Sequence, residues 1–292
     1  MQLLLFLILY PLLWLVSILP FRLLYIVSDL VYLVVYYVIR YRLQIVRTNI
    51  SMAFPQLTKN QRLEIEKKSY KHLCDMFLEM VKTMTISERE INDRFTFTNL
   101  EVYLDLEKKG KSIAVLCAHY ASYEWVISMN SHASFRGYAI YKRLANEYFD
   151  RLVRKIRSRF KATLITTKET IPTIEANQAA GILGAYGFAG DQSPKASKTY
   201  HWKKFMGIES PVITGAEMLA KRFDMNVIFL KVKKIKRGYY HATFEQPTEN
   251  TIQIPDYQIS DNFLDCVEKQ IYEAPEYYLW THKRWKTTTP KD

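Results

Sequence analysis

The sequence predicts an α/β fold: a largely parallel central sheet flanked by helices, with an apolar helical segment at the N-terminus. Three observations predict it. From residue 112 onward, short β-branched and aromatic runs alternate with segments of helical periodicity, the order that builds parallel strands joined by crossover helices. The first forty residues carry only Arg22, Asp29 and Arg40 as charges. Of the 292 residues 49% are hydrophobic, ample for one large packed core.

Residues 1–40 hold two apolar runs, 3–19 and 23–39, separated by Pro20, Phe21 and Arg22. Each is at the short end of what spans a bilayer. No Lys or Arg precedes the first run and no small-residue cleavage site follows, so a cleavable signal peptide is a poor reading. A membrane-anchoring segment of one or two short helices is expected, either a hairpin dipping into one leaflet or a tilted span, with a buried pair of core helices as the bland alternative. Arg40, Arg42 and Arg47 follow directly and place residues 41–292, the second domain, on the cytoplasmic side.

Thr58 to Gln61 forms a capping box opening a long amphipathic helix, with Leu63, Tyr70, Leu73, Phe77, Met80 and Met84 on one face. Ser87 with Glu90 starts a second helix; FTFTN (95–99) alternates as a strand; Asn99 caps a helix ending at Gly110. Strands follow at 112–118, 137–142, 162–167 and 182–190, interleaved with helices at 122–130, 146–160 and 171–180. A helix at 214–223 precedes a strand at 226–234. Lys236-Arg237-Gly238 turns it into an antiparallel partner at 239–245, and a final helix at about 260–273 leads to a Tyr/Trp-rich tail.

Net charge is +12, of which the first forty residues hold +1. A basic body beside an apolar segment suits an anionic membrane surface, an acidic partner or a phosphorylated substrate. The charge is spread along the chain without a nucleic-acid-binding motif, so no nucleic acid is expected. Cys74, Cys117 and Cys266, odd in number and widely spaced, form neither a disulfide framework nor a zinc pattern, and no metal is expected.

CAHYASYEW (117–125) leaves the strand 112–118, and in open α/β sheets ligands sit beyond the carboxyl ends of strands. Within one helix, His119 and Glu124 would point about 140° apart. They meet if His119 lies in the turn and Glu124 in the first helical turn. Glu124 can then hold the imidazole and leave its other nitrogen as a general base. The bland alternative is a satisfied histidine at a strand end and a glutamate facing a helix N-terminus. Lys142 and Arg143, at the end of the next strand, are candidates for oxyanion or substrate-phosphate contacts, or are solvated surface charges. Asp191 and Gln192 also follow a strand and could line the same crevice, binding an acceptor hydroxyl or orienting Arg143, or forming a turn. Trp280, His282, Arg284, Trp285 and Lys286 alternate aromatic and basic groups, which fits a membrane interface or an amphipathic strand on the domain edge.

H-Y-A-S-Y-E resembles the H-x4-D/E motif of the glycerolipid acyltransferase superfamily. NISMAFP (49–55), YKRLANEYFDRLVRKIRSRF (141–160), GDQS (190–193), FMG (205–207), TGAEMLAKR (214–222) and PEYYLWTHKRWK (275–286) resemble, in order, segments of the lipid A biosynthesis (late, secondary) acyltransferases. The chain departs from that pattern with Ala121 and Ser122 where Gly and Asn are usual. Lys142-Arg143 stands where Arg-Pro is usual, and lysine lacks the planar fork.

The resemblance implies transfer of a fatty acyl group from an acyl thioester to a hydroxyl of a lipid A precursor at the bacterial inner membrane. His119 would be the base and Glu124 its partner. The co-substrate would be acyl carrier protein, with no further cofactor and no covalent acyl-enzyme. A lysophospholipid, an amino-acid-containing lipid or a glycolipid is the alternative acceptor, and a catalytically silent membrane-surface binding protein is the rival class.

Overall fold

In the computed structural model, which describes residues 2–286, nine strands form: β1 (Phe95–Phe97), β2 (Ile113–Cys117), β3 (Arg136–Tyr141), β4 (Thr163–Thr166), β5 (Gly184–Ala189), β6 (Trp202–Phe205), β7 (Ile208–Pro211), β8 (Asn226–Lys236) and β9 (Tyr239–Glu245). Seven make one sheet in the order β1-β9-β8-β2-β5-β3-β4. Every pairing in it is parallel except β8 with β9. The predicted α/β class and largely parallel sheet are thus present. The β6–β7 hairpin lies outside that sheet and was not expected, since its WKKF and IESP segments carry little apolar alternation.

The strand β2 runs centrally between β8 and β5, and its IAVL core is fully buried, as a strand covered on both faces requires. The β8–β9 turn needs glycine at position 238. Its φ is +75°, and an added Cβ would lie 2.0 Å from the Tyr25 hydroxyl.

Among the described residues ten α-helices accompany the strands: α1 (Gln2–Ile18), α2 (Phe21–Leu33), α3 (Leu43–Ala53), α4 (Lys59–Lys82), α5 (Glu88–Arg94), α6 (Leu100–Lys108), α7 (Glu147–Arg157), α8 (Thr170–Ala179), α9 (Gly215–Arg222) and α10 (Gln258–Glu273). The capping box of α4 forms as expected, as do the Ser87 cap of α5 and the Asn146 cap of α7. Asn99 occupies the position just before α6, but its side chain does not cap the helix. Its amide instead exchanges hydrogen bonds with the Phe244 backbone of β9, at 2.7 and 2.8 Å. The helix expected at 122–130 winds instead as a tighter 3₁₀ helix over Tyr123–Ser131.

α1 and α2 both pack against α4. α2 continues as a wider π turn through Ile39. Its inward face is polar and hydrogen-bonded. The Tyr25 hydroxyl donates to Glu79 at 2.8 Å, Ser28 to Asp75 at 2.7 Å and Tyr36 to Glu66 at 2.6 Å. Arg237, in the β8–β9 turn, bridges Asp29 and Asp75, each at 2.7 Å. Burial raises the Glu79 carboxyl above its ordinary value despite Lys234 nearby, and the Tyr240 hydroxyl donates to its second oxygen at 2.8 Å.

Arg237→Ala leaves buried Asp75 without its two-pronged partner. The expected outcome is a loss of about 3 kcal/mol of stability in denaturant titration, with faster hydrogen exchange along α2.

Candidate active site

The parallel register of β2 with β5 sets Cys117 opposite Ala189. Two residues beyond each lie His119 and Asp191, so the two strand ends deliver them side by side. One carboxylate oxygen of Asp191 accepts two hydrogen bonds from His119, from its backbone N–H at 3.1 Å and from its ring Nδ1–H at 2.8 Å. Asp191 is buried, whereas the imidazole keeps one fifth of its surface open. With Nδ1 donating, Nε2 is left as the lone-pair nitrogen.

Burial alone would lower the imidazole. The Asp191 charge and hydrogen bond, with Glu124 behind them, outweigh it and hold the ring above its ordinary value of 6.5. Burial would likewise raise the Asp191 carboxyl, but His119 brings it below the usual carboxylate value. Each partner therefore favours the other's charged form.

Glu124 does not hold the ring as expected. It turns to Arg157 of α7, which grips it with two bonds of 2.9 and 2.6 Å. The physical reason is the pairing of charges. Both groups are largely buried, and a planar guanidinium satisfies both carboxylate oxygens at once, which an imidazole cannot. Glu124 still stands near enough to raise the imidazole through its charge. Arg157 was missed because it reads as one of three cations in the last turn of a basic helix.

Lys142 and Arg143 are exposed, and neither lines the cleft beside His119. The sheet order inserts β5 between β2 and β3, which sets the end of β3 about 10 Å across the sheet from His119. Arg143 faces Asp150 at 3.9 Å, so Asp191 does not orient it. Gln192 is half-buried beside Asp191, and its side chain makes no hydrogen bond among the described residues.

Both tail tryptophans turn into the protein. Trp280, Arg284 and Trp285 are buried, and the segment clamps the site. The Leu279 N–H donates to the His119 carbonyl at 3.1 Å, and the Ala121 N–H to the Tyr277 carbonyl at 2.9 Å. The Tyr278 hydroxyl reaches the Asp191 carbonyl at 3.3 Å, and the Ser193 hydroxyl bonds the Arg284 carbonyl. Asn49 of α3 ties the clamp down by donating to the carbonyls of Trp280 and His282 at 2.8 and 2.7 Å. These bonds hold Ala121 at φ +50°, a left-handed conformation that a Cβ disfavours.

A cleft of about 320 Å³ of open space runs between α4 and the tail, with His119 and Tyr123 on its wall and Tyr70, Leu73, Met76 and Trp280 around it. Its lining is largely apolar and aromatic. The Tyr123 ring stands edge-on to the imidazole at 5.0 Å. Burial pushes the Cys117 thiol up to about 12, unsuited to a nucleophile at neutral pH. Among the described residues, no group of three His, Cys, Asp or Glu side chains is placed to hold a metal ion. The arrangement can abstract a proton at Nε2 and stabilise the resulting imidazolium through Asp191.

Residues 2–287 match the sequence model of a family described as bacterial lipid A biosynthesis acyltransferase. The chain is similar to a lipid A biosynthesis lauroyltransferase of Escherichia coli (strain K12), 22% identical over 94% of this chain and 89% of that protein. It is also similar to a lipid A biosynthesis palmitoleoyltransferase of the same organism, 22% identical over 84% of this chain and 79% of that one.

In Asp191→Asn the burial contribution remains while the countercharge is gone. The His119 ring pKa, followed by imidazole NMR, is expected above 6.5 in the wild type and below 6.5 in the variant.

Proposed function

This chain belongs to the bacterial lipid A biosynthesis acyltransferase family, and on that premise we propose that it moves a fatty acyl group from an acyl thioester to a hydroxyl of a lipid A precursor. The observation that carries the chemistry is the His119 ring, held by Asp191 through Nδ1 with Nε2 free beside an apolar cleft.

An alcohol is a weak nucleophile at neutral pH. The His119 Nε2 takes its proton as the oxygen attacks the thioester carbonyl carbon. Asp191 stabilises the imidazolium that forms, the part the Asp plays in a Ser-His-Asp triad. Negative charge gathers on the former carbonyl oxygen, and Arg157, locked against Glu124 and near enough to act on the imidazole by its charge, is the cation we assign to meet it. The tetrahedral intermediate collapses by breaking the C–S bond, and the imidazolium returns its proton to the departing thiolate. Every proton is accounted for without a covalent acyl-enzyme. Glu124 in this scheme orients Arg157 and contributes charge to the imidazole, rather than holding the ring.

Acyl carrier protein is the donor we favour. The residues after the first forty carry +11, a field that speeds encounter with an acidic carrier. The apolar N-terminal helices keep the enzyme at the inner membrane beside its acceptor, with the catalytic body on the cytoplasmic face.

The test is an in vitro transfer assay with acyl carrier protein thioesters and lipid A precursors. His119→Ala should lose about 10²–10⁴-fold in kcat/KM. Since the base must be deprotonated, wild-type kcat/KM should rise with pH along a limb centred above 6.5. Full activity in His119→Ala overturns the mechanism. A lipid other than a lipid A precursor, missing one acyl chain in a deletion strain, redirects the acceptor.

A further inference from the structure

We propose that the outward faces of α1 and α2 form one apolar plate on which the protein lies in a single leaflet of an anionic bilayer, with neither helix crossing it. The inference rests on the membrane association proposed above and supplies its geometry.

Both helices dock by one face and leave the other open. α1 sets Phe6 against Tyr148 and Phe149 of α7, at 5.7 and 5.4 Å. Near its end, Lys82 donates to the carbonyls of Ser17 and Leu19 at 2.9 and 2.8 Å. Its Leu4, Ile8, Leu12 and Leu15 remain 52–63% exposed. On α2 and its π extension, Leu23, Ile26, Leu30 and Val38 remain 48–75% exposed. So many exposed large apolar side chains on two successive helices mark contact with a membrane or a partner.

The stretch Phe21–Ile39 is long and apolar enough to cross a membrane. Its attachments prevent it. Tyr25, Ser28, Asp29 and Tyr36 are tied to Glu79, Asp75, Arg237 and Glu66, so these charged groups lie at the same depth along most of the helix. A crossing would carry them into hydrocarbon, where ionised groups are costly. The same holds for α1. Lys155 of α7 and Arg159, in the turn that follows it, share a groove with Tyr10 and Trp14, and Arg151 and Arg154 lie exposed on α7.

Lying flat satisfies every group. The leucines and isoleucines enter the acyl layer. Trp14, Tyr37 and Tyr41, all exposed, suit the interface, where aromatic rings are favoured. Arg22, Arg40, Arg154 and Lys155 meet headgroup phosphates, while Asp29 is neutralised by Arg237. That excess of free cations around the plate is why the occupant is an anionic leaflet.

The cleft adjoins the plate. Tyr70, on its wall, donates to the Tyr41 carbonyl at 2.5 Å, and Arg42 to the carbonyl of Thr281, another lining residue, at 3.1 Å. A lipid acceptor held in that leaflet thus reaches His119 from the plate's rim.

The experiment adds full-length protein to preformed vesicles of phosphatidylethanolamine and phosphatidylglycerol, or of phosphatidylcholine alone. Reporter cysteines are introduced as Gln2→Cys, Pro20→Cys and Ser197→Cys, with the unaltered chain as labelling background, and an impermeant maleimide is trapped in the vesicle lumen. The protein should float with the anionic vesicles and no reporter should label from the lumen. Luminal labelling at position 2 or 20 overturns the flat arrangement while leaving membrane association intact. Failure to float with either vesicle overturns both readings. Leu4→Glu with Ile26→Glu, both at exposed positions, should weaken vesicle binding about tenfold or more. Arg154→Glu with Lys155→Glu should abolish the preference for phosphatidylglycerol. Unchanged binding in either pair overturns the plate. So does a stable dimer that these variants split and that ignores vesicles, since a second copy would then be the occupant.

Discussion

Cys117 pairs with Ala189 where β2 and β5 run parallel, and the two chains leave the sheet in step, two residues apart from His119 and Asp191. The site depends on that register. Side chains alternate faces with a period of two, so a slip of one residue would turn Asp191 away from the ring. A single carboxylate oxygen then fixes the backbone and the imidazole of His119 together. This couples the tautomer of a reactive ring to the pairing of two buried strands, and hence to the most cooperative part of the fold.

Beside this pair, a second buried charge pair is closed on itself. Glu124 and Arg157 satisfy each other, so a carboxylate and a cation coexist in the wall without leaving either bare. The C-terminal tail completes the enclosure with backbone bonds to His119 and Ala121. Because those bonds run to carbonyls and amides, the tail positions the loop without competing for the ring nitrogen that faces the cleft.

The N-terminal helices follow the same rule on a larger scale. Their apolar composition alone suits a span, yet the inward stripe of α2 holds Tyr25, Ser28, Tyr32 and Tyr36, each meeting α4 or the turn after β8. A stripe of that kind has a use only against a protein surface that carries complementary charge.

The sequence by itself determined the elements and their kind. Strand runs, the Thr58, Ser87 and Asn146 caps and the β8–β9 turn are local chemistry, written in neighbouring residues, and they formed where the pattern put them. It also marked His119 and Asp191 as strand-end residues in one crevice. Tertiary structure alone decided which acid holds the ring, because the spacing of His119 and Glu124 shows reach but not competition. Arg157 lies 33 residues beyond Glu124, and its claim on that carboxylate arises only when α7 packs beside the loop. It also decided that Lys142 and Arg143 stand apart from His119. Sheet order is set by crossovers among distant segments, and a strand inserted between two others leaves no mark in either one's sequence.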